Sequence, residues 1–457
     1  MNESTARKSS YNVVIPLSTS ASGASETESS YIIANPLYGN ASLVSADELE
    51  ILATFPRSRD DVVVFHLKDE GYITTLTEGE EKELMKKRYE EQKKPRTPRT
   101  AIIVTYQCNL RCTYCWTDHL FTSDTMGRVI DERTVDRAFD TIPQIPALES
   151  VKSMSFYGGE PFLPSTRSIV ECILEKGSER GFTFHANTNG YYLTEFVPLF
   201  SQYAMEGLGV TLDGCQPVHD ARRRRSDRGG TFYKIVDGID SALDNGIPIG
   251  VRINVDSQNI EGLPAFKDWI TEHGWANRKD ISFAFTPVLP GKGNTPPGLL
   301  TYSEMAEKII VMGKESPSLF KMMHYTWEYF VEGYLSRTIL QGTELQPRPF
   351  YCSAHFQTFS FDPLGDIYCC PRAVGDKTFS VGQFVPELRF NRNFEEWMNR
   401  DVLSIPRCRK CDVALLCGGG CAYEAYLQSG TLFEGYCQQY RAFLEYGVPL
   451  FARQRMQ

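Results

Sequence analysis

Six short apolar runs recur along the middle of the chain, at residues 101–106, 151–156, 182–186, 208–212, 249–255 and 281–285. Between them lie segments whose apolar residues fall at helical spacing, as Phe232, Ile235, Val236, Ile239 and Leu243 do. A buried strand followed by an amphipathic helix, repeated six times, predicts α/β architecture. The parallel sheet would have helices outside and curve as a partial (β/α)6, TIM-like barrel. In such folds the chemistry gathers at the C-terminal ends of the strands.

The flanks read differently. Residues 18–30 are rich in Ser, Thr, Ala and Gly and predict a mobile loop or tail. Residues 31–34 and 41–44 are expected to pair as a hairpin. Ser45-Ala-Asp-Glu48 has the form of a capping box opening a short helix. Residues 62–67 read as another strand, and 78–94 as a charged helix closed by Pro95 and Pro98. Beyond the barrel come a Pro/Gly linker at 291–298, a helical stretch at 302–340 and a cysteine-rich region at 352–437. The expected division is a small N-terminal α+β module (1–95), the barrel (96–300), a helical linker (301–345) and a cysteine-rich domain (346–445).

Charge and cysteine content narrow the classes. A net charge of -9 argues against nucleic acid as the main partner, because phosphate binding needs a basic surface. The run Arg222-Arg-Arg-Arg225 is a local exception, read as a solvated loop or as a face toward a carboxylate-rich ligand. No stretch approaches the ~20 apolar residues of a membrane span, and residues 1–10 lack the apolar core of a secretory signal. The expectation is a cytoplasmic protein with no membrane partner. Ten of the thirteen cysteines fall in two tight groups, which in a large cytoplasmic chain reads as metal ligation.

The first group is Cys108, Cys112 and Cys115, directly after the first strand. Three thiolates at C-x3-C-x2-C spacing suit an iron–sulfur cluster with one iron left open. A structural zinc site is the alternative, although it normally takes four ligands. After the second strand comes Tyr157-Gly158-Gly159-Glu160-Pro161, where glycines permit close backbone approach and a carboxylate offers an acceptor to an ammonium group. The third strand ends in Asn187-Thr188-Asn189-Gly190, the fourth in Thr211-Leu-Asp-Gly214, followed by His219-Asp220. His219 reads as structural.

Four such motifs in this order resemble the radical SAM superfamily. The resemblance implies a 4Fe–4S cluster on Cys108, Cys112 and Cys115 whose open iron chelates S-adenosyl-L-methionine. It also implies reductive cleavage of that cofactor to a 5′-deoxyadenosyl radical. Gly158, Gly159 and Glu160 would bind the amino group, Asn189 and Thr211 would line the cofactor site, and Arg223 or Arg252 would meet its carboxylate. Thr211 replaces the serine usual at its position. Cys215 is a candidate hydrogen donor to a substrate radical, or a plain structural cysteine. Cys172 reads as core.

The second group resembles the SPASM domain, with Cys352, Cys370, Cys408, Cys411, Cys417, Cys421 and Cys437 at its seven-cysteine spacing. That resemblance implies two auxiliary 4Fe–4S clusters, one on Cys352, Cys370 and Cys421, the other on Cys408, Cys411, Cys417 and Cys437. With the cofactor-binding cluster that makes three. The fourth position of the first auxiliary cluster is left open, to substrate, Cys369 or another group.

Many SPASM enzymes crosslink, epimerise or oxidise ribosomally made peptides or proteins, so peptide maturation is the expected activity. Its partners would be a peptide substrate and an external reductant such as flavodoxin or ferredoxin. The N-terminal module would then be a leader-peptide binder or a decoration of the barrel edge. Formylglycine formation, as in anaerobic sulfatase maturation, is an alternative. That family has an aspartate where this chain has Pro371. Radical modification of a small metabolite, or a non-catalytic iron–sulfur carrier, are the others. A carrier would need the cysteines but not the motifs at 158–160 and 187–190.

Overall fold

The computed structural model describes residues 6–17, 30–57, 60–94, 98–117, 127–325, 335 and 337–449. The Ser-rich segment 18–29 lies outside them. The chain forms two compact units. One comprises Met1–Lys94, Thr326–Cys352 and Arg400–Gln457, the other Pro95–Tyr325 and Ser353–Asn399.

In the first unit, β1 (Val13–Pro16), β2 (Ser30–Asn35) and β3 (Asn40–Ser45) make an antiparallel sheet in that order. The expected hairpin is β2–β3, closed between Asn35 and Asn40. Helix α1 (Ala46–Thr54) opens on the expected box, with Ser45 Oγ accepting from the Glu48 amide and Glu48 accepting from the Ser45 amide.

Residues 62–67 are not a strand. They lie in helix α2 (Asp61–Asp69), where Asp60 Oδ1 accepts from the Val62 and Val63 amides. Cap and packing together outweigh the β preference of the valine run. Val63, Val64 and Leu67 fall at helical spacing onto a core of Ile33, Val44, Leu52 and Tyr72. Helix α3 (Glu78–Gln92) follows, as expected.

The second unit is built on one sheet. Strands β4 (Arg99–Thr105), β5 (Ser153–Gly158), β6 (Thr183–Thr188), β7 (Met205–Thr211), β8 (Ile249–Val255) and β9 (Ile281–Pro287) lie side by side in chain order, all parallel. These are the six runs read from the sequence, shifted by a few residues at their ends. Beyond β9 stands β10 (Met323–Tyr325). Beyond β4 stand β11 (Thr358–Phe361), β12 (Asp366–Tyr368), β13 (Gly382–Gln383) and β14 (Arg389–Phe390).

Helices α4 (Glu132–Thr141), α5 (Arg167–Glu179), α6 (Leu193–Phe200), α7 (Gln216–Arg222), α8 (Phe232–Asp244) and α9 (Leu263–Glu272) connect the six strands. Alternate strand residues carry the core. Met154, Phe156, Phe184, Leu208, Val210, Val251 and Phe283 are buried, whereas their neighbours Ser153, Ser155, His185, Asn187, Arg252 and Ser282 are not. The first set packs under the helices and the second faces the concave side, the barrel lumen.

Candidate active site

Cys108, Cys112 and Cys115 follow β4 on a loop clamped at several points. The Arg111 and Thr113 amides donate to the Arg224 and Arg222 carbonyls, and Cys115 N–H donates to Cys112 O. Cys108 Sγ accepts from the Leu110 amide at 3.4 Å and from Asn189 Nδ2 at 3.8 Å. Burial raises the Cys108 thiol and pushes Cys112 up to about 11, while the Arg223 guanidinium pulls Cys112 back down. Thiols held so become thiolates when a metal takes the place of the proton. Among the described residues no three His, Cys, Asp or Glu side chains surround a single ion point.

Gly158 and Gly159 let β5 end against this loop. A Cβ on Gly159 would lie 2.3 Å from Gln107 O, and one on Gly158, at φ +140°, would lie 2.3 Å from Thr105 O. Glu160 is 2% exposed. Its Oε1 accepts from Thr188 Oγ1 at 2.6 Å and the Phe162 amide at 3.0 Å, and its Oε2 accepts from the Asn189 amide at 2.6 Å. A carboxylate has about four acceptor sites, so about one remains for a ligand. Burial raises its pKa. The Asn189 side chain reaches both Cys108 Sγ and Asn109 Oδ1, the latter at 2.8 Å. The first cysteine loop, the Gly-Gly-Glu turn and the end of β6 are therefore one hydrogen-bonded unit.

The arginine run is not a solvated loop at its start. Arg222 and Arg223 are buried. Arg222 pairs with both Asp256 oxygens at 2.6 Å and with Asp213 at 3.3 Å. Arg223 donates to Tyr114 OH at 2.9 Å, and Tyr114 donates to Asp213 at 2.5 Å. Two buried carboxylates draw these cations inward, and a local charge run gives no sign of them because they lie 9 to 34 residues away. Only Arg225 keeps an exposed pair, with Asp227.

Arg223 Nε and Asn109 Nδ2 are buried with no hydrogen-bond partner among the described residues. Both stand at the cysteine loop, so the residues present suit an anionic group bound there. Arg252 lies in the lumen instead, level with Thr211. His219 is fully buried between the Asp213 amide and Thr231 Oγ1. Burial lowers its pKa, in keeping with a structural role. Cys215 stands at the N-cap of α7 with no side-chain cap hydrogen bond, and burial raises its thiol. Cys172 on α5 is half-buried.

Further contacts were not signalled by any motif. Asn294 Nδ2 donates to Cys115 O at 3.3 Å. The Arg372 guanidinium stands 5.4 Å from the Trp116 ring centroid and donates to Pro290 O at 2.8 Å. This ties the cysteine loop to the segment after Cys370, which itself follows β12. Burial pushes the Tyr157 phenol up to about 12, against the opposing pull of the Arg252 guanidinium.

In the other unit Cys408, Cys411, Cys417 and Cys437 act on one another electrostatically. Burial pushes Cys408 to about 11 and Cys417 to about 12. Arg400 is fully buried and donates to the Gly419 and Glu434 carbonyls at 3.2 and 3.1 Å. Burial lowers its pKa, and thiolates at Cys352, Cys421, Cys408 and Cys417 would oppose that shift. Cys352 and Cys421 belong to this unit and Cys370 to the barrel unit.

Residues 102–270 match the family model of the radical SAM superfamily. The chain carries a radical SAM domain. It is 25% identical over 194 residues to the GTP 3′,8-cyclase of Nitrobacter winogradskyi, covering 41% of this chain and 52% of the relative. The chain thus spans about half the length of such curated relatives. Likeness to a cysteine-type anaerobic sulfatase-maturating enzyme of Clostridium novyi runs further, at 24% identity over 75% of this chain and 92% of that one.

The fold is shared with the solved structure of native anSMEcpe with bound AdoMet and the Cp18Cys peptide. The TM-score is 0.58 at 20% identity, over 78% of this chain and 99% of that one. It is also shared with Streptococcus suis SuiB bound to its precursor peptide SuiA, at TM-score 0.53 and 12% identity, over 94% and 98%. The relatives are enzymes by name, and the segment 102–270 of this chain is of the radical SAM type.

Proposed function

We propose that this enzyme cleaves S-adenosyl-L-methionine reductively and uses the resulting radical to modify a ribosomally made peptide or protein. The observation that carries this reading is the hydrogen-bonded junction of Cys108, Asn189 and Glu160, which joins three separate motifs at the C-terminal ends of β4, β5 and β6. When bound, a cluster on Cys108, Cys112 and Cys115 would supply the electron, and the cofactor would supply a carbon radical.

The chain's own part is positioning. Glu160 offers its remaining acceptor to an ammonium group, and Arg223 Nε offers a buried cation to a carboxylate. Gly158 and Gly159 allow the backbone to close on the loop. Cys352, Cys370, Cys408, Cys411, Cys417, Cys421 and Cys437 are proposed to hold two auxiliary clusters, with Arg400 as counter-charge in its unit.

Peptide chemistry is supported by two like-folded proteins solved with peptides. Formylglycine formation stays as a second reading because the Clostridium novyi relative aligns with three quarters of the chain. Against it, Cys370 is followed by Pro371, which opens a 3-10 turn and carries no proton acceptor. The test incubates the reduced enzyme anaerobically with short peptides encoded beside its gene and follows peptide mass. A change dependent on S-adenosylmethionine is expected. Deoxyadenosine formed with no peptide altered, but with a Cys-containing sulfatase peptide converted to formylglycine, would favour the second reading.

A further inference from the structure

The lumen of the barrel is filled unusually lightly at its N-terminal end. In a closed (β/α)8 barrel, layers of Val, Ile and Leu fill the interior. Here Asn187, Gly209, Gly250 and Ser282 stand side by side in register across four neighbouring strands. One pleat lower, Ser155, His185 and Gly207 do the same. A Cβ on Gly250 would meet nothing nearer than Ser282 Oγ at 3.9 Å. These small residues leave a cavity of 640 Å³, within the ~300–1,000 Å³ typical of ligand sites.

The chemistry of its walls is specific. Among the described residues, the Asn187 carboxamide and the Ser153, Ser155 and Ser282 hydroxyls have no hydrogen-bond partner, and all line the cavity. His185 and Glu206 form a half-exposed pair on the same wall. No Phe, Tyr or Trp lines it, so it offers no platform for stacking a nucleobase. At the rim stand Arg99, the first residue of β4, and Lys279, two residues before β9 begins. Both are exposed and neither forms an ion pair among the described residues, whereas Asp280 is taken by Arg278.

We propose that this lower lumen binds a small hydroxylated anion of the sugar-phosphate class. Arg99 and Lys279 take the phosphate, and Asn187, the serines and the His185–Glu206 pair take the hydroxyls. The site is separate from the cysteine loop, and Asn187 lies two residues along β6 from Asn189. The proposal does not depend on the radical reaction, because its readout is binding.

The experiment titrates ribose 5-phosphate calorimetrically into the full-length protein kept anaerobic and saturated with S-adenosylmethionine. Inorganic phosphate and ribose are separate arms. Saturable binding of ribose 5-phosphate is expected, at least about tenfold tighter than either fragment. Gly250→Phe, which fills the cavity from a backbone position without positive φ, should weaken it by at least about tenfold. The double change Arg99→Gln/Lys279→Gln, both on exposed positions, should do the same. Neither should alter S-adenosylmethionine affinity. Absence of saturable binding, binding of phosphate alone as tight as the sugar phosphate, or indifference to both variants would each overturn the site.

Discussion

At the scale of single residues, Glu160 is the side chain on which the proposed cofactor site turns. Three protein donors already converge on its two oxygens. Glu160→Gln would place an amide N–H against one of them, so two effects are expected together. S-adenosylmethionine binding, measured by calorimetry, should weaken at least about tenfold, and the fold should lose on the order of 1–3 kcal/mol in thermal melts. Unchanged affinity in a folded variant would remove Glu160 from the site.

A second residue makes a pH-dependent claim. Burial pushes the Asp362 carboxyl up to about 6, with Asp366 adding to the rise, while Tyr106 donates to it at 2.6 Å. A folded pKa above the unfolded value of 3.8 favours the protonated fold. That stability is fully present below pH 3.8 and is lost as pH rises through about 6. Asp362→Asn keeps the two backbone donors paired through its oxygen. Its melting point should gain on wild type progressively between about pH 4 and 6.5, by the equivalent of roughly 2–3 kcal/mol. A pH-independent difference would contradict the shift.

Such residues are also where the sequence was least legible. Asp362 lies 256 residues from Tyr106, and Arg400 gains its cysteine neighbours only through the fold.

Among the elements, the parallel strands were readable because apolar runs of strand length punctuated by amphipathic helices have few other meanings. Their C-terminal ends were readable because the motifs sit there. Helix α2 was not, since a valine run satisfies strand and helix alike until its cap and its core partners are known. Asp60→Ala should therefore cost about 1 kcal/mol, seen as a lower melting point. Were residues 62–67 a strand, the substitution would leave stability unchanged.

The junction of β5 with the cysteine loop makes a sharper claim. Gly159→Ala puts a methyl 2.3 Å from a backbone carbonyl of the loop, whereas Gly250→Ala meets only Ser282 Oγ, at an ordinary contact distance of 3.9 Å. The first should lower iron retained on the barrel cysteines and deoxyadenosine yield by at least about tenfold, and the second should leave both intact. Equal behaviour of the two variants would mean that the close approach has no part in the site.

For the whole molecule, the motif order along the chain already announced the radical SAM domain, and the fold places those motifs on adjacent strand ends. Their joining could not be read, because hydrogen bonds such as Asn189 to Cys108 bridge 81 residues. Among the described residues no helix is long and apolar enough to cross a membrane.

The central claim is that Cys108, Cys112 and Cys115 hold the cluster that cleaves S-adenosylmethionine, apart from the seven cysteines further along. The most direct measurement is iron per chain together with 5′-deoxyadenosine formed under dithionite, for wild type and for the triple Cys→Ala variant. Wild type should carry about twelve irons and form deoxyadenosine, and the variant should keep about eight and form none. Deoxyadenosine from the triple variant, or tightly bound zinc in a wild type that forms none, would contradict it.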